Sequence, residues 1–193
     1  MGGGDKGLRS LGRSTMLGEV ARRLGPQVKA LVLNANGDPS RFAALGLSVV
    51  ADTVEACPGP LAGVLAGMRW SRANVSGATH VLTVSSDVPF LPGDLAARLA
   101  ASLPKDGDGI AIARSDGVAH PVIGLWPIAL ADDLETSLHQ GERKVQAWAE
   151  RHGATCVDFP MLSVAGETLD PFFNANTLAE LNEARRLLDL VHA

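Results

Sequence analysis

The 193-residue chain has no tyrosine, and aromatic residues make up only 4% of it. Proteins that bind single-stranded nucleic acid stack bases on aromatic faces, so this scarcity argues against that class. A formal net charge of −4 removes the general basic surface that a nucleic-acid duplex or an anionic membrane requires. The two cysteines, Cys57 and Cys156, form neither a metal-ligand spacing nor a disulfide framework, and they suit a reducing cytoplasm. The uncharged run Ala119 to Ala131 holds two prolines and falls short of the ~20 residues that span a bilayer. The N-terminus is glycine-rich and lacks the apolar segment of a signal peptide. The phosphate-loop pattern G-x-x-x-x-G-K-[ST] is missing, since Lys6 follows Asp5 and precedes Gly7. Neither G-x-S-x-G nor H-E-x-x-H occurs, which argues against serine-hydrolase and zinc-protease chemistry. Small-molecule chemistry in the cytoplasm, with no nucleic acid and no membrane as partner, is what these absences leave.

What is present is ordinary in bulk and organised in detail. Hydrophobic residues make up 46% and charged residues 20%, enough for one domain with a substantial core over residues 1–193. Ser14 is placed to cap a helix on which Met16, Leu17, Val20, Ala21 and Leu24 share a face, and Gly25-Pro26 ends it. "VKALVLN" (28–34) and "LSVVA" (47–51) read as buried strands. Pro60 then opens a helix with the apolar stripe Leu61, Val64, Leu65 and Met68. "HVLTVSS" (80–86) is the next strand, and Pro92 opens a helix aligned on Leu95, Leu99 and Leu103. "GIAIA" (109–113) and "PVIGLW" (121–126) are adjacent strands, followed by helices from Ile128 and around Val145, Trp148 and Ala149. "CVDF" (156–159) reads as the last strand, and Thr177 with Glu180 forms a T-x-x-E capping box for a final helix. Strands alternating with helices predict an α/β sandwich with a mostly parallel sheet and a less regular second half.

Ligands of open parallel sheets bind beyond the carboxyl ends of the strands. Asn34 ends the first of these strands, Asp52 follows the second and Asp87 the third. The turn 58–63 and the loop Gly2, Gly3, Gly4, Asp5, Lys6 belong to the same edge, each at a helix start with free backbone N–H groups. Taken singly, Asn34 is a strand terminator and the aspartates are loop carboxylates. "SSDVPFLP" is more pointed: a carboxylate held past a buried strand and fixed by Pro89 suits a metal ion bound to phosphate oxygens. His120, before Pro121 at a strand start, has no partner visible in the sequence and reads as structural.

In order, "MGGGDKGL" (1–8), "VLNAN" (32–36), "VVADTVEACPGPLAGVLAGM" (49–68), "SSDVPFLPGDLAARL" (85–99), "HPVIGLW" (120–126), "GERKV" (141–145) and "FFNANTLAEL" (172–181) span the chain. Together they resemble the molybdenum cofactor guanylyltransferases, nucleotidyltransferases with a three-layer Rossmann-like fold. The resemblance implies transfer of GMP from GTP to the terminal phosphate of molybdopterin, with Mg2+. It implies that Gly2, Gly3, Gly4 and Lys6 meet the nucleotide phosphates, that Asn34 and Asp52 bind the guanosine part, and that Asp87 binds Mg2+. Asn174 and Asn176 would line the site near the metal and the pterin. Arg143 or Lys144 would meet the pterin phosphate, the alternative being a solvated helix end. Molybdoenzymes or their chaperones would be the downstream partners.

A carboxylate accepts from guanine N1–H and N2–H2, a donor pattern that cytosine lacks, so Asp52 or a carbonyl of the "GPLAG" turn is expected to favour GTP over CTP. Family members carry a strand and a loop L-A-G-G-x-S-x-R ahead of "MGG". Neither is in this sequence, so the expectation is a chain that starts at an internal residue of the motif. Leu178 also stands where a proline is usual after N-x-N-T, and residue 175 is Ala in place of a larger aliphatic. The competing readings are a transferase acting with CTP on a pterin or with an NTP on a sugar phosphate, and a non-catalytic nucleotide-binding remnant.

Overall fold

The computed structural model describes residues 6–54, 59–105 and 107–191. A 3-10 turn (Lys6–Leu8) leads into a two-stranded hairpin, β1 (Ser10–Leu11) and β2 (Ser14–Thr15), and then into α1 (Met16–Leu24). The cap of α1 is Thr15, one residue later than expected: its hydroxyl accepts from Gly18 N–H at 3.0 Å. β3 (Val32–Asn34) pairs in parallel with β4 (Ser48–Val50), and Pro60 starts α2 (Pro60–Asn74) as its first residue. β5 (His80–Thr83), α3 (Leu95–Ala101), β6 (Ala111–Ser115) and β7 (Val118–Pro127) follow, then α4 (Ala131–His139), α5 (Val145–Arg151) and β8 (Thr155–Phe159). α3 begins three residues after Pro92, which instead closes the preceding turn by accepting from Leu95 N–H. The strand at 155–159 is not the last: β9 (Leu162–Val164) and β10 (Glu167–Leu169) form a further hairpin before α6 (Leu178–Val191). These strands are short, and their turn contains Ala165 and Gly166 at positive φ. The capping box of α6 is reciprocal, Thr177 N–H donating to Glu180 at 2.7 Å and Glu180 N–H to the Thr177 hydroxyl at 3.1 Å.

The main sheet runs β5-β7-β6-β8, antiparallel around β7 and parallel between β6 and β8. Alternation along β6 divides the core into two layers. Ile110 and Ile112 face α2, α4 and α5 with Leu65, Met68, Trp126 and Trp148, while Ala111 and Ala113 face α1 and α3 with Val20, Leu95 and Leu99. Helices on both faces give the three-layer α/β arrangement. A third cluster packs α6 against Leu11, Met16 and Phe90, tying the C-terminal segment to the first turns of the chain.

Among the described residues no ladder joins β3 to β5. An apolar cavity of about 240 Å³ lies between them, with Val32 and Leu33 on one side, Val81 and Leu82 on the other, Val20 of α1 and Val64 of α2 completing it. The expected strand 28–34 is therefore laddered only over Val32–Asn34, because one edge alone has a described partner. Asn34 and Ser86, past the ends of β3 and β5, both border this cavity.

Candidate active site

Four polar side chains meet where the first turn, the loop after β5 and the entry to α6 come together. A methyl group on Gly7 would lie 3.3 Å from the Ser86 hydroxyl and 3.2 Å from Leu17 Cβ, so the first turn presses closely on the loop after β5 and a side chain here would push those neighbours by a few tenths of an ångström. That contact brings Lys6 to the site, where its ammonium donates to Asn176 Oδ1 at 3.0 Å. Asp87 follows β5, and its carbonyl accepts from Ala175 N–H at 3.2 Å, so the segment carrying Asn174 and Asn176 is fixed directly to it. Burial pushes the Asp87 carboxyl above the usual carboxylate range. Its own backbone N–H, the Lys6 charge and a hydrogen bond from Asn174 act in the opposite sense. Asn174 Oδ1 is buried with no protein partner.

The second group sits at the ends of β3 and β4. Asp52 accepts from Asn34 Nδ2 at 3.0 Å on one oxygen and from Asn36 Nδ2 at 2.8 Å on the other, and Asp52 N–H donates to Asn36 Oδ1 at 2.9 Å. The carboxylate is thus oriented by two amides and keeps lone pairs for a further donor. Asn36 was not among the residues expected at the site. Its signal was the N-x-N spacing of "VLNAN", since alternate residues running off a strand emerge on one side. α2 lies close over this group: a methyl on Gly63 would stand 2.5 Å from Asn34 Oδ1.

The remaining candidates are placed differently. Gly2, Gly3 and Gly4 lie outside the described residues. Arg143 and Lys144 occupy the connection between α4 and α5, where the Arg143 guanidinium donates to Leu138 O at 2.8 Å and Glu142 O at 2.7 Å, closing the end of α4. Lys144 N–H donates to Glu142 at 2.9 Å. His120 does have a partner, Ser115, with its Nε2 2.7 Å from the hydroxyl.

Among the described residues no three His, Cys, Asp or Glu side chains come together as a metal cage. Asp87 beside the unpartnered Asn174 Oδ1 is nonetheless an oxygen donor set that fits a hard divalent cation. Mg2+ in particular is bound by one or two protein oxygens together with substrate phosphates and water.

A layered α/β fold that lines the carboxyl rim of its strands with a lysine, a half-buried aspartate and an amide-braced second aspartate presents a rim suited to a phosphorylated nucleotide. The MobA-like NTP transferase domain profile matches residues 1–156, and the chain belongs to that family. It is 48% identical over 188 residues to the molybdenum cofactor guanylyltransferase of Bradyrhizobium sp. (strain ORS 278), covering 97% of this chain and 86% of that protein. Among solved structures, it resembles molybdopterin-guanine dinucleotide biosynthesis protein A from Archaeoglobus fulgidus, with a TM-score of 0.70 and 21% identity over 97% of this chain and 92% of that one. It also resembles a Mycobacterium tuberculosis protein solved as a manganese complex, with a TM-score of 0.63 and 17% identity over 95% of this chain and 93% of that one.

Proposed function

We propose that this chain, acting as one nucleotidyltransferase domain over residues 1–193, transfers GMP from GTP to the terminal phosphate of molybdopterin. An oxygen of the pterin phosphate forms a bond to the α-phosphorus of GTP, the α–β bridging bond breaks, and pyrophosphate leaves with that electron pair. The observation that carries the reading is the convergence of Lys6, Asp87, Asn174 and Asn176 past β5, with Asn34, Asn36 and Asp52 grouped past β3 and β4.

The nucleophile is a phosphate monoester whose second pKa is near ~6, so it is largely ionised at neutral pH and needs no general base. The barrier is one of bringing two anions together, and the protein's task is positioning and charge compensation. Lys6 holds a positive charge at the phosphates, steered by its bond to Asn176. Asp87 and Asn174 would hold Mg2+, which when bound neutralises charge on the nucleotide phosphates. Asp52, held by Asn34 and Asn36, presents its free lone pairs to the guanine N1–H and N2–H2 edge. Arg143 or Lys144 meets the pterin phosphate. A cytoplasmic setting and delivery of the product to molybdoenzymes or their chaperones follow from this reaction; among the described residues no helix is long and apolar enough to cross a membrane.

The test is pyrophosphate release by the purified protein with GTP, Mg2+ and molybdopterin, set against CTP in place of GTP. Turnover dependent on GTP and lost in Asp87→Asn is the expected result. Saturable GTP binding without turnover would instead make the chain a nucleotide-binding remnant. Loss of the GTP/CTP preference in Asp52→Ala checks the base-reading role; an unchanged ratio removes Asp52 from it.

A further inference from the structure

Three polar side chains form a part-buried constellation that the proposed reaction does not use. Ser115, at the end of β6, is 1% exposed. Its hydroxyl donates to Asp170 Oδ1 at 2.8 Å and lies 2.7 Å from His120 Nε2. A register shift between Ile112 and Ala113 places His120 opposite Ala113, so His120 and Ser115 are diagonal neighbours on one face of the hairpin.

The three side chains resemble a hydrolytic triad, but the proton arrangement is different. A serine hydroxyl has one proton, and here it goes to the carboxylate, which has none to give. The contact with His120 therefore requires the imidazole to donate from Nε2–H, so no base is available to activate Ser115. Burial pushes the His120 pKa below its ordinary value, with Asp170 acting in the opposite sense.

What the constellation does hold is the backbone that leads into the site. Asp170 Oδ1 also accepts from Phe172 N–H at 2.8 Å, and Asp170 O accepts from Phe173 N–H at 3.0 Å, which folds residues 170–173 into a turn. The Phe172 ring packs against His120 with centroids 4.8 Å apart and edge-on to Phe159 at 5.2 Å. The next residues are Phe173, Asn174, Ala175 and Asn176. Their other anchor is the backbone bond from Ala175 to Asp87.

We infer that Ser115, His120 and Asp170 are positioning residues, a clasp between the β6–β7 hairpin and the 170–173 turn that sets Asn174 and Asn176 against Asp87 and Lys6. The clasp works through the single acceptor atom Asp170 Oδ1, not through the carboxylate charge. Its consequence for turnover rests on the proposed reaction; its geometry does not.

Two measurements separate these. In nitrogen-correlated NMR of the whole chain, neutral His120 is expected as the Nε2–H tautomer; the Nδ1–H tautomer would turn the Ser115 proton toward His120 and overturn the clasp. The side-chain amide resonances of Asn174 and Asn176, assigned with Asn174→Ala and Asn176→Ala, should shift in Asp170→Ala and Ser115→Ala. They should stay in place in Asp170→Asn and His120→Gln, which preserve the acceptor and the donor. In turnover assays, Asp170→Ala is expected to lower kcat/KM by about 10- to 100-fold, the scale of losing the two hydrogen bonds that Asp170 Oδ1 accepts. Asp170→Asn should stay within about threefold of the parent. Equal loss in Asp170→Asn and Asp170→Ala would make the charge essential and refute the clasp. So would amides that do not move in Asp170→Ala although the protein remains folded. A parent protein that shows no turnover while the tautomer and amide shifts behave as described would refute the proposed reaction and leave the clasp standing.

Discussion

Gly63 offers a prediction in which stability and binding move independently. It lies in the first turns of α2 over the Asn34–Asn36–Asp52 group, and Gly63→Ala would set a methyl 2.5 Å from Asn34 Oδ1 and 3.4 Å from Asn34 Cγ. The backbone is helical, so the alanine itself is favourable by roughly 0.5–1 kcal/mol. The Asn34 amide must move by about 1 Å to restore van der Waals distance. That motion breaks its bonds to Val50 O at 3.1 Å and to Asp52 at 3.0 Å. Asn34 is exposed, so the bond to the carboxylate is worth about 1.5 kcal/mol, the low end for a charged partner. If Asp52 reads the base, the loss appears as a roughly tenfold weaker GTP Kd. The helix gain offsets much of the effect on folding, so Tm should change by no more than about 3 °C. Calorimetric GTP titrations and thermal melts on the parent, Gly63→Ala, Asn34→Ala and the double variant complete the cycle. In the Asn34→Ala background the methyl has nothing to displace, and Gly63→Ala should leave GTP affinity alone and raise Tm. A tenfold loss on adding Gly63→Ala to Asn34→Ala, or unchanged affinity in the single variant, would refute the coupling.

Two further outcomes concern stability. Thr83→Val keeps the shape of the side chain but removes a hydroxyl that accepts from the fully buried Trp126 indole at 2.7 Å and donates to Val122 O at 2.8 Å. Chemical denaturation should show a cost of about 2 kcal/mol for the two groups left unpaired. Glu19 is 4% exposed; burial pushes its carboxyl up, but hydrogen bonds and charge from Arg22 and Arg23 outweigh this and hold it below the ordinary glutamate value of 4.5. Its contribution is therefore complete above pH ~4.5 and fades as pH falls through the lower folded value. Glu19→Gln should melt roughly 2–4 °C lower than the parent at pH 7, corresponding to ~1 kcal/mol, and the gap should close in melts taken progressively below pH ~4.5.

Where the sequence pattern is periodic, it and the structure agree. The α2 stripe Leu61, Val64, Leu65 and Met68 is buried residue for residue, and the T-x-x-E spacing at Thr177 closes as a reciprocal cap. The missed elements are those whose cause is not local. The β9–β10 hairpin has only three residues in each strand, and Val164 and Leu169 are buried by α6 rather than by any alternation of their own. The one-residue error at the cap of α1 arises because a Ser-Thr pair offers two adjacent hydroxyls, and it is the Thr15 hydroxyl that accepts from Gly18 N–H.

The candidate site divides the same way, and the division has a physical basis. Asn34, Asp52 and Asp87 were legible because each is a polar residue placed just past an apolar strand, where an α/β sheet opens to its ligands. Which of them act together was not legible, because that depends on how closely the elements approach. Gly7 and Gly63 set two of those approaches, and as glycines they offer the sequence reader no chemistry to notice. His120 shows the cost of reading a residue alone. In the sequence it has no visible partner and reads as structural, yet the partner is five residues away at Ser115, across a hairpin whose register shifts between Ile112 and Ala113. Asp170, 55 residues further along from Ser115, then turns that pair into a support for Asn174 and Asn176. A histidine that only filled space would tolerate loss of its Nε2 proton, whereas one in this clasp cannot, because the Ser115 hydroxyl has already given its own proton to Asp170.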